Sequence, residues 1–225
     1  MLRRVFWLLF LVAACTPAQS GDVFVDAGSA AGATDPNAPL VSTLIPTIIS
    51  VSPDHGKSGD VITITGSGFG LDPGKVRVRI GGAPVEVASL RETEDGYQQI
   101  EVELNAGTVS GPVSICAVDQ WATFPGTFCA QPVIHGFAFV QAGDDVMVQV
   151  SGSNFDPCAL VYVGDAPQET RRLRSARRPH RIEPTRLFIA VQPGDHGTLW
   201  VENRCPDGRN YAVKSAATFW KSIRY

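Results

Sequence analysis

The chain has 225 residues, of which 44% are hydrophobic and 18% are charged, and its formal net charge at pH 7 is −3. This length allows one large domain or two small ones, and the composition is typical of a globular protein. A net charge this small indicates no particular partner. With 22 glycines and 16 prolines, the sequence favours a turn-rich, all-β protein over a helical one.

Residues 1–14 are organised like a signal peptide. A positively charged start and the short apolar run Val5–Val12 precede two alanines and then Cys15. Small residues followed by cysteine resemble a bacterial lipobox, which implies that Cys15 carries the lipid (palmitate) and becomes the mature N-terminus. Thr16 is not the Asp of an inner-membrane retention signal, so the resemblance implies the outer membrane, facing the periplasm or the cell surface. The alternative is an ordinary signal peptide with Cys15 incidental.

Residues 15–45 are predicted to be a flexible tether between the lipid and the folded part. Ala, Gly, Ser, Thr, Asp and Pro dominate here, and the few apolar residues show no sustained period. Such a segment cannot bury enough surface to offset the entropy of ordering it.

The cysteines indicate disulfide bonds in an oxidising compartment. The chain has five cysteines, and lipidation of one of them leaves four: Cys116, Cys129, Cys158 and Cys205. Four cysteines allow three pairings. We favour Cys116–Cys129 with Cys158–Cys205, because each bond then lies within one predicted domain. Each bond should contribute about 2–4 kcal/mol.

From Pro46 onward the sequence alternates apolar and polar residues with period two. In Lys75–Ile80 the residues Val76, Val78 and Ile80 oppose Lys75, Arg77 and Arg79, and the run Ile100–Leu104 alternates in the same way. This pattern is typical of antiparallel strands with one face in water. Short strands separated by turns, over residues 46–132, predict a β-sandwich.

Residues 133–225 repeat the landmarks of residues 46–132 at an offset close to 86 residues. Gly66, Ser67 and Phe69 match Gly152, Ser153 and Phe155, and Gly111 matches Gly197. Landmarks at a constant spacing indicate a duplicated unit. We therefore predict two tandem sandwiches.

The first unit resembles a known family. It reads Pro46-x-Ile48, then Gly56-x-x-Gly59, then Gly66-x-x-Phe69, and later Ile80-Gly-Gly-Ala-Pro. This order resembles the IPT/TIG domain and implies an immunoglobulin-like fold for 46–132. Residues 133–225 lack the first proline and a turn glycine and carry an insertion, so they resemble a degenerate IPT-like copy. Rel-type relatives bind DNA, but export argues against a nucleic-acid partner.

Catalytic, metal and cofactor sites are not indicated. The stretch from Gly70 to Lys75 has one residue too few for a phosphate-binding Walker loop, and Val76 stands where that loop has Ser or Thr. The matching stretch from Gly152 to Phe155 has no lysine at all, which favours a turn with a core anchor. No histidines have metal-ligand spacing and no cysteines form C-x-x-C.

Two candidate binding sites remain. A loop near residues 170–182 carries six arginines, which suit phosphate or carboxylate groups: Arg171, Arg172, Arg174, Arg177, Arg178 and Arg181. The alternative is a solvated inter-strand loop. Three aromatic residues, Trp121, Phe124 and Phe128, lie between Cys116 and Cys129 and are candidates for stacking on a sugar or packing on a protein. Equally, these rings can cover the end of the sandwich.

The sequence thus predicts a lipid-anchored, non-catalytic binding or adhesion module with a protein or polysaccharide partner in the envelope and no cofactor. A structural spacer in an envelope assembly is the alternative. An envelope hydrolase is disfavoured, because no nucleophile or acid–base constellation emerges.

Overall fold

A computed structural model describes residues 45–142, 145–164, 176–190 and 197–219. These residues form strands and turns with one 3-10 turn, Pro73–Lys75, which confirms the all-β class. The predicted signal peptide and nearly all of the predicted tether lie outside the described residues. The strands are β1 (Thr47–Ser52), β2 (His55–Gly56), β3 (Val61–Ser67), β4 (Arg77–Ile80), β5 (Ala83–Glu92), β6 (Gln98–Glu103), β7 (Gly111–Ala117), β8 (Gln120–Ala130), β9 (Val133–Ala142), β10 (Asp145–Ser153), β11 (Leu160–Val163), β12 (Arg181–Glu183), β13 (Arg186–Ala190), β14 (Gly197–Arg204) and β15 (Asn210–Phe219).

Strands β1 to β8 are linked in the order β1-β3-β6-β5-β4-β7-β8-β2. Strand β5 joins the two parts of this arrangement, because Ala83–Val85 pair with β4 and the residues from Glu86 onward pair with β6. Alternating apolar side chains from both parts form one buried core, which includes Ile64, Ile80, Ile100 and Ile115. Full burial of each such side chain is worth roughly 1.5–3 kcal/mol.

Strands β9 to β15 form a four-stranded sheet, β12-β13-β10-β9, and a three-stranded sheet, β11-β14-β15. Side chains from both sheets make a second core, which includes Val150, Phe155, Val161, Leu187 and Val201. The predicted boundary at residues 132 and 133 falls between β8 and β9.

The first strand pair of each half has the same local structure. Ile48 opposes Gly66 across β1 and β3, Ile134 opposes Gly152 across β9 and β10, and each pair adjoins a register shift. A side chain at either glycine would collide with a carbonyl oxygen of the facing strand and with the phenylalanine ring three residues later. Only glycine fits this close approach. The glycine-rich stretch is therefore a turn with a core anchor, as predicted.

A seam of buried polar side chains joins the second half to the first. Asn154 is buried, its Oδ1 accepts a hydrogen bond from the Ser58 N–H (2.7 Å), and its Nδ2 donates to the carbonyl oxygens of Asn105 and Thr108 (2.9 Å each). These bonds satisfy polar groups that would otherwise be costly to bury. They tie the turn after β10 to the loop between β6 and β7.

Two more buried side chains extend the seam. Asn203 donates to the carbonyl oxygens of Ala130 (2.9 Å) and Asn154 (2.6 Å), and its Oδ1 accepts from the Asp156 N–H (3.0 Å). Asp156 Oδ1 in turn accepts from the Ser110 N–H (2.7 Å). The seam is thus one connected network, because Asn203 bonds the backbones of Asn154 and Asp156, and all three side chains bond the backbone of the first half.

The disulfide bond also crosses the seam, which corrects the favoured pairing. Cys129 is bonded to Cys205 with a Cα–Cα distance of 5.6 Å, and Cys116 is a buried free thiol. Both Cys116–Cys129 and Cys158–Cys205 are therefore wrong. The choice assumed that each bond stays within one domain, whereas packing of the second half against the first brings Cys205 beside Cys129.

Candidate binding face

Strands β4, β7 and β8 present one sheet face to solvent. Arg77 lies opposite Cys116, and Cys116 lies opposite Trp121 on the next strand. Residues directly opposite one another project to the same side of a sheet. A second row follows two residues along, because Arg79 lies opposite Ser114. The alternate residues, among them Val78 and Ile115, point into the core.

Trp121 is the exposed aromatic residue of this face. Its side chain is 49% exposed, and the Arg79 guanidinium lies over the indole ring at 5.2 Å from the centroid. Attraction between a cation and the ring restrains the arginine. Beside it, Arg77 Nη2 lies 3.3 Å from Cys116 Sγ and helps to cover that buried thiol.

A groove of about 850 Å³ continues the face toward the end of the first half. Its exposed apolar residues are Leu71 (80% exposed) and Val118 (58% exposed). The other lining residues are Phe69, Gly70, Asp72, Gly74, Lys75, Arg77 and Asp119. We call this groove together with Arg79 and Trp121 the Trp121 face.

Hydrogen bonds between side chains and the backbone fix one wall of the groove, and a tight turn forms the other. Gln98 accepts from the Phe69 N–H (2.7 Å) and donates to the Gly70 carbonyl oxygen (2.6 Å). Asp72 accepts from the Gly74 N–H (3.0 Å) and so caps the 3-10 turn. The opposite wall is the tight turn at Val118 and Asp119, both with positive φ, as a two-residue hairpin turn requires. The groove is therefore already formed in the absence of a ligand.

Positive charge concentrates on this face although the first half is acidic overall. Lys75 lies 3.9 Å from Asp72, and both are largely exposed. Within the described part of the chain, neither Arg77 nor Arg79 forms an ion pair with a carboxylate. Their guanidinium groups thus remain available to an anion from outside.

The three predicted aromatic residues do not form one binding surface. Trp121 is exposed, Phe124 is half-buried against the first core, and Phe128 is 1% exposed within that core. Strand β8 shifts register opposite β7 between Thr123 and Thr127. Phe124 and Phe128 lie three and seven residues after Trp121, so the alternation that turns Trp121 outward turns both toward the core, and the binding prediction for Phe128 is wrong.

The predicted arginine cluster is only partly described. Arg171, Arg172 and Arg174 lie outside the described residues. Arg177 pairs its backbone with Val161, and Arg181 forms an ion pair with Glu183 at 2.6 Å. Arg178 is exposed. At least one member of the cluster is thus already engaged with a carboxylate, and anion binding by this loop stays a prediction.

The lining residues missed in the sequence are Leu71 and Val118. The cations of the face could be predicted from the sequence, because alternation in Lys75–Ile80 assigns Lys75, Arg77 and Arg79 to one solvent-exposed side. Leu71 and Val118 could not be predicted as neighbours, because they lie in different loops that only the fold brings together.

The titratable clusters elsewhere are structural. Cys129, Cys205 and Asp207 come together, but the two sulfurs are bonded to each other and Asp207 accepts a hydrogen bond from Arg209 (2.7 Å), so the group is unsuited to a metal. His55 Nδ1 lies 3.0 Å from Asp54 Oδ1, and its ring stacks on Tyr211. No hydroxyl or thiol hydrogen-bonds to His55 among the residues described. This geometry is a hydrogen-bonded His–Asp pair without a nucleophile beside it.

The described residues include no helix with the length and apolar character needed to cross a membrane.

Comparison with known proteins places the first half in a family. Residues 46–128 match the IPT/TIG domain, and no curated protein matches the chain significantly. Among solved structures the chain is similar to the surface glycan-binding protein PbSGBP-B from Prevotella bryantii, with 11% identity, a TM-score of 0.40, and coverage of 78% of this chain and 42% of that one.

Two further structures are similar at comparably low identity. One is an auxiliary nutrient binding protein from Bacteroides thetaiotaomicron VPI-5482 (10% identity, TM-score 0.36, coverage 80% and 71%). The other is the Plexin A4 extracellular region (19% identity, TM-score 0.33, coverage 77% and 18%). The chain spans less than half the length of the first structures that it matches, 47%, 48% and 18%. The family match and the strand arrangement agree, and residues 46–128 form an IPT/TIG domain with an immunoglobulin-like fold.

Proposed function

We propose that this chain is a non-catalytic binding module of the cell envelope and that the Trp121 face contacts its partner, a polysaccharide or a protein. The observation that carries the proposal is the half-exposed Trp121 ring beside an open groove on a fixed sheet. An exposed indole supplies a large contact area at little cost in side-chain entropy. The hydrogen-bonded walls of the groove reduce the ordering that binding requires.

A substitution at Trp121 tests this proposal. The full-length chain and its Trp121→Ala variant are compared for binding to a glycan array and to immobilised envelope proteins. Tyr97→Ala is the matched control, because Tyr97 is also exposed but lies in the turn between β5 and β6. Loss of binding in Trp121→Ala with retention in Tyr97→Ala supports the proposal. Equal binding by all three chains, or binding by none, contradicts it.

The seam supports a second candidate function, a structural spacer in an envelope assembly. Hydrogen bonds and a disulfide fix one half against the other, as a spacer of constant length requires. The two functions differ in what they need from Trp121. A deletion strain whose envelope defect is fully restored by the Trp121→Ala chain favours the spacer, whereas failure to restore it favours binding.

We further propose that Cys15 is lipidated, that the segment after it is a tether, and that the chain resides at the outer membrane. The support is the order of charged, apolar and small residues before Cys15. Metabolic labelling with a palmitate analogue should mark the chain and leave Cys15→Ser unlabelled. Label in the Cys15→Ser chain would contradict this. We also propose that residues 133–225 are a degenerate IPT-like copy, a proposal supported by the repeated pairing at Gly66 and Gly152.

A further inference from the structure

Arg79 is held in position with its hydrogen-bonding capacity unused. The Trp121 ring lies under its guanidinium, and no described residue accepts a hydrogen bond from it. A guanidinium presents its N–H donors in a planar fork that matches a carboxylate or a sulfate. Restraint by the ring lowers the entropy that the side chain loses when an anion binds. Arg79 is thus a prepared anion-binding group.

Two further cations lie close to Arg79 along the chain. Arg77 is on the same face of β4, two residues and about 6.6 Å from Arg79, and Lys75 ends the 3-10 turn just before the strand. Asp72 lines the groove, caps the 3-10 turn and lies 3.9 Å from Lys75. Asp119 lies on the opposite wall. The cations therefore face solvent, and no carboxylate of the described residues forms an ion pair with Arg77 or Arg79.

The internal repeat shows why this end of the first half is open. At the matching end of the second half, Asp156 and Asn203 bind backbone groups of the first half. The residues at the matching positions are Gly70 and Ala117. These have no polar side chain with which to bind a neighbouring domain in the same way. The first half thus has a groove where the second half has a domain contact.

We propose that the Trp121 face binds an acidic polysaccharide, with its carboxylate or sulfate groups on Arg77 and Arg79 and its sugar rings against Trp121 and the apolar wall of Leu71 and Val118. This inference rests on the proposed binding function and names its ligand class. The exposed apolar side chains are few and are interleaved with cations. That mixture suits a hydrated, charged sugar chain better than the contiguous apolar core of a protein interface.

A matched pair of polymers tests the charge requirement. The full-length chain is titrated with dextran, dextran sulfate and polygalacturonate, and with polyglutamate as an acidic polymer without sugar rings. We expect binding to both acidic polysaccharides, which weakens as salt increases, and at least about tenfold weaker binding to dextran and polyglutamate. Preference between sulfate and carboxylate tells which group the face takes. Binding of dextran as tight as that of dextran sulfate, or of polyglutamate as tight as that of polygalacturonate, would overturn the inference.

Variants locate the site and separate this inference from the proposed function. Arg77→Gln/Arg79→Gln should weaken binding of the acidic polysaccharides by about tenfold or more. The control Arg91→Gln/Arg186→Gln removes two exposed arginines from other surfaces, where they pair with Glu101 and Glu183, and should bind as the unchanged chain does. If Trp121→Ala abolishes binding of a neutral glycan while the double glutamine variant binds normally, the binding function stands and the acidic ligand is refuted. If both variants bind as the unchanged chain does, both proposals fail.

Discussion

The turn after β3 and the turn after β10 have the same backbone course and opposite surroundings. Each begins at a glycine that packs under a phenylalanine, and each continues through a residue with positive φ, Gly68 in the first half and Asn154 in the second. The first turn leads into the exposed wall of the groove. The second is buried in the seam, where Asn154 makes three hydrogen bonds to the first half.

The neighbouring hairpin turns also differ between the two halves, one lining the groove and the other lying in the seam. Between β7 and β8 the connection is Val118–Asp119, and it forms a wall of the groove. Between β14 and β15 it is the five-residue segment Cys205–Arg209, which supplies the disulfide and an ion pair to Asp54. The two regions thus differ, an open groove in the first half and a contact with the first half in the second, according to a few side chains and the length of one turn.

We expect the largest effect when Asn154 of the buried turn is replaced by glycine, which is the residue at the matching position, Gly68, of the exposed turn. Asn154→Gly tolerates the positive φ and removes all three side-chain hydrogen bonds to the first half, leaving the buried Thr108 carbonyl and the half-buried Ser58 N–H without these partners. We expect a loss of about 4 kcal/mol in the free energy of unfolding, measured by urea denaturation. Asn210→Ala, at an exposed asparagine of the same half, should change it by about 0.5 kcal/mol or less. A loss below 1 kcal/mol for Asn154→Gly would show that the seam does not depend on this side chain.

Removing the covalent link between the halves should have the next largest effect. Cys129 and Cys205 are 76 residues apart, so their bond restricts a long segment of the unfolded chain. Cys205→Ser should lower the free energy of unfolding by about 3 kcal/mol. Cys129→Ser and the double variant should lose a similar amount, because each removes the same bond. A double variant that loses twice as much as either single variant would contradict this account.

Asp156 should make the seam dependent on pH. Burial raises the pKa of Asp156 to about 6, although hydrogen bonds from Ser110 act in the opposite direction. Its Oδ2 has no hydrogen-bond partner among the residues described. The folded state then holds its proton more tightly than the unfolded state, whose pKa is near 3.8. Stability therefore falls as pH rises from about 4 to about 6 and stays low above that range. We expect Asp156→Asn to raise the free energy of unfolding by about 2 kcal/mol at neutral pH and to change it little near pH 4.

Asp207 provides a control with the opposite sign. Hydrogen bonding to Arg209 holds the pKa of Asp207 below its usual range. Its contribution to stability is therefore present above the unfolded pKa and lost as pH falls. Asp207→Asn should destabilise the chain at neutral pH, whereas Asp156→Asn should stabilise it. The same direction of change in both variants would refute the assignment for Asp156.

The sequence predicted the repeated elements because they depend on local rules. Period-two alternation assigned Arg77 and Arg79 to the wet face, and the repeated Gly66 and Phe69 indicated a turn with a core anchor; the structure confirms both. Alternation along β8 also places Phe128, seven residues after the exposed Trp121, on the buried face, so the binding prediction for Phe128 failed because the three aromatic residues were grouped by their position between two cysteines and not by strand face.

The seam was not predictable in this way. Asn154 reaches Asn105 and Thr108, which are 49 and 46 residues away, and no periodicity links such positions. The disulfide prediction failed for the same reason, since Cys129 and Cys205 meet only after the halves pack together. Polar residues in turns are usually exposed, so their sequence gave no sign that these would be buried.

The smallest expected effect concerns the long turn. Arg209 Nη1 lies 2.8 Å from Asp54 Oδ2, and Nη2 donates to the Thr127 carbonyl oxygen at 3.1 Å. The side chains of both Arg209 and Asp54 are more than a third exposed, so solvent and salt weaken the attraction between them. We expect Arg209→Gln to lower the free energy of unfolding by about 1 kcal/mol or less, measured by urea denaturation.

The salt dependence of stability distinguishes this ion pair from the buried hydrogen bonds of the seam. The difference between Arg209→Gln and the unchanged chain should shrink as salt increases, whereas the larger loss in Asn154→Gly should persist, because buried neutral hydrogen bonds are not screened. Arg186→Gln removes an exposed ion pair to Glu183 within the second half and is the matched control. If Arg209→Gln costs as much as Asn154→Gly and resists salt, the long turn rather than the buried asparagine distinguishes the joined end of the second half from the open end of the first.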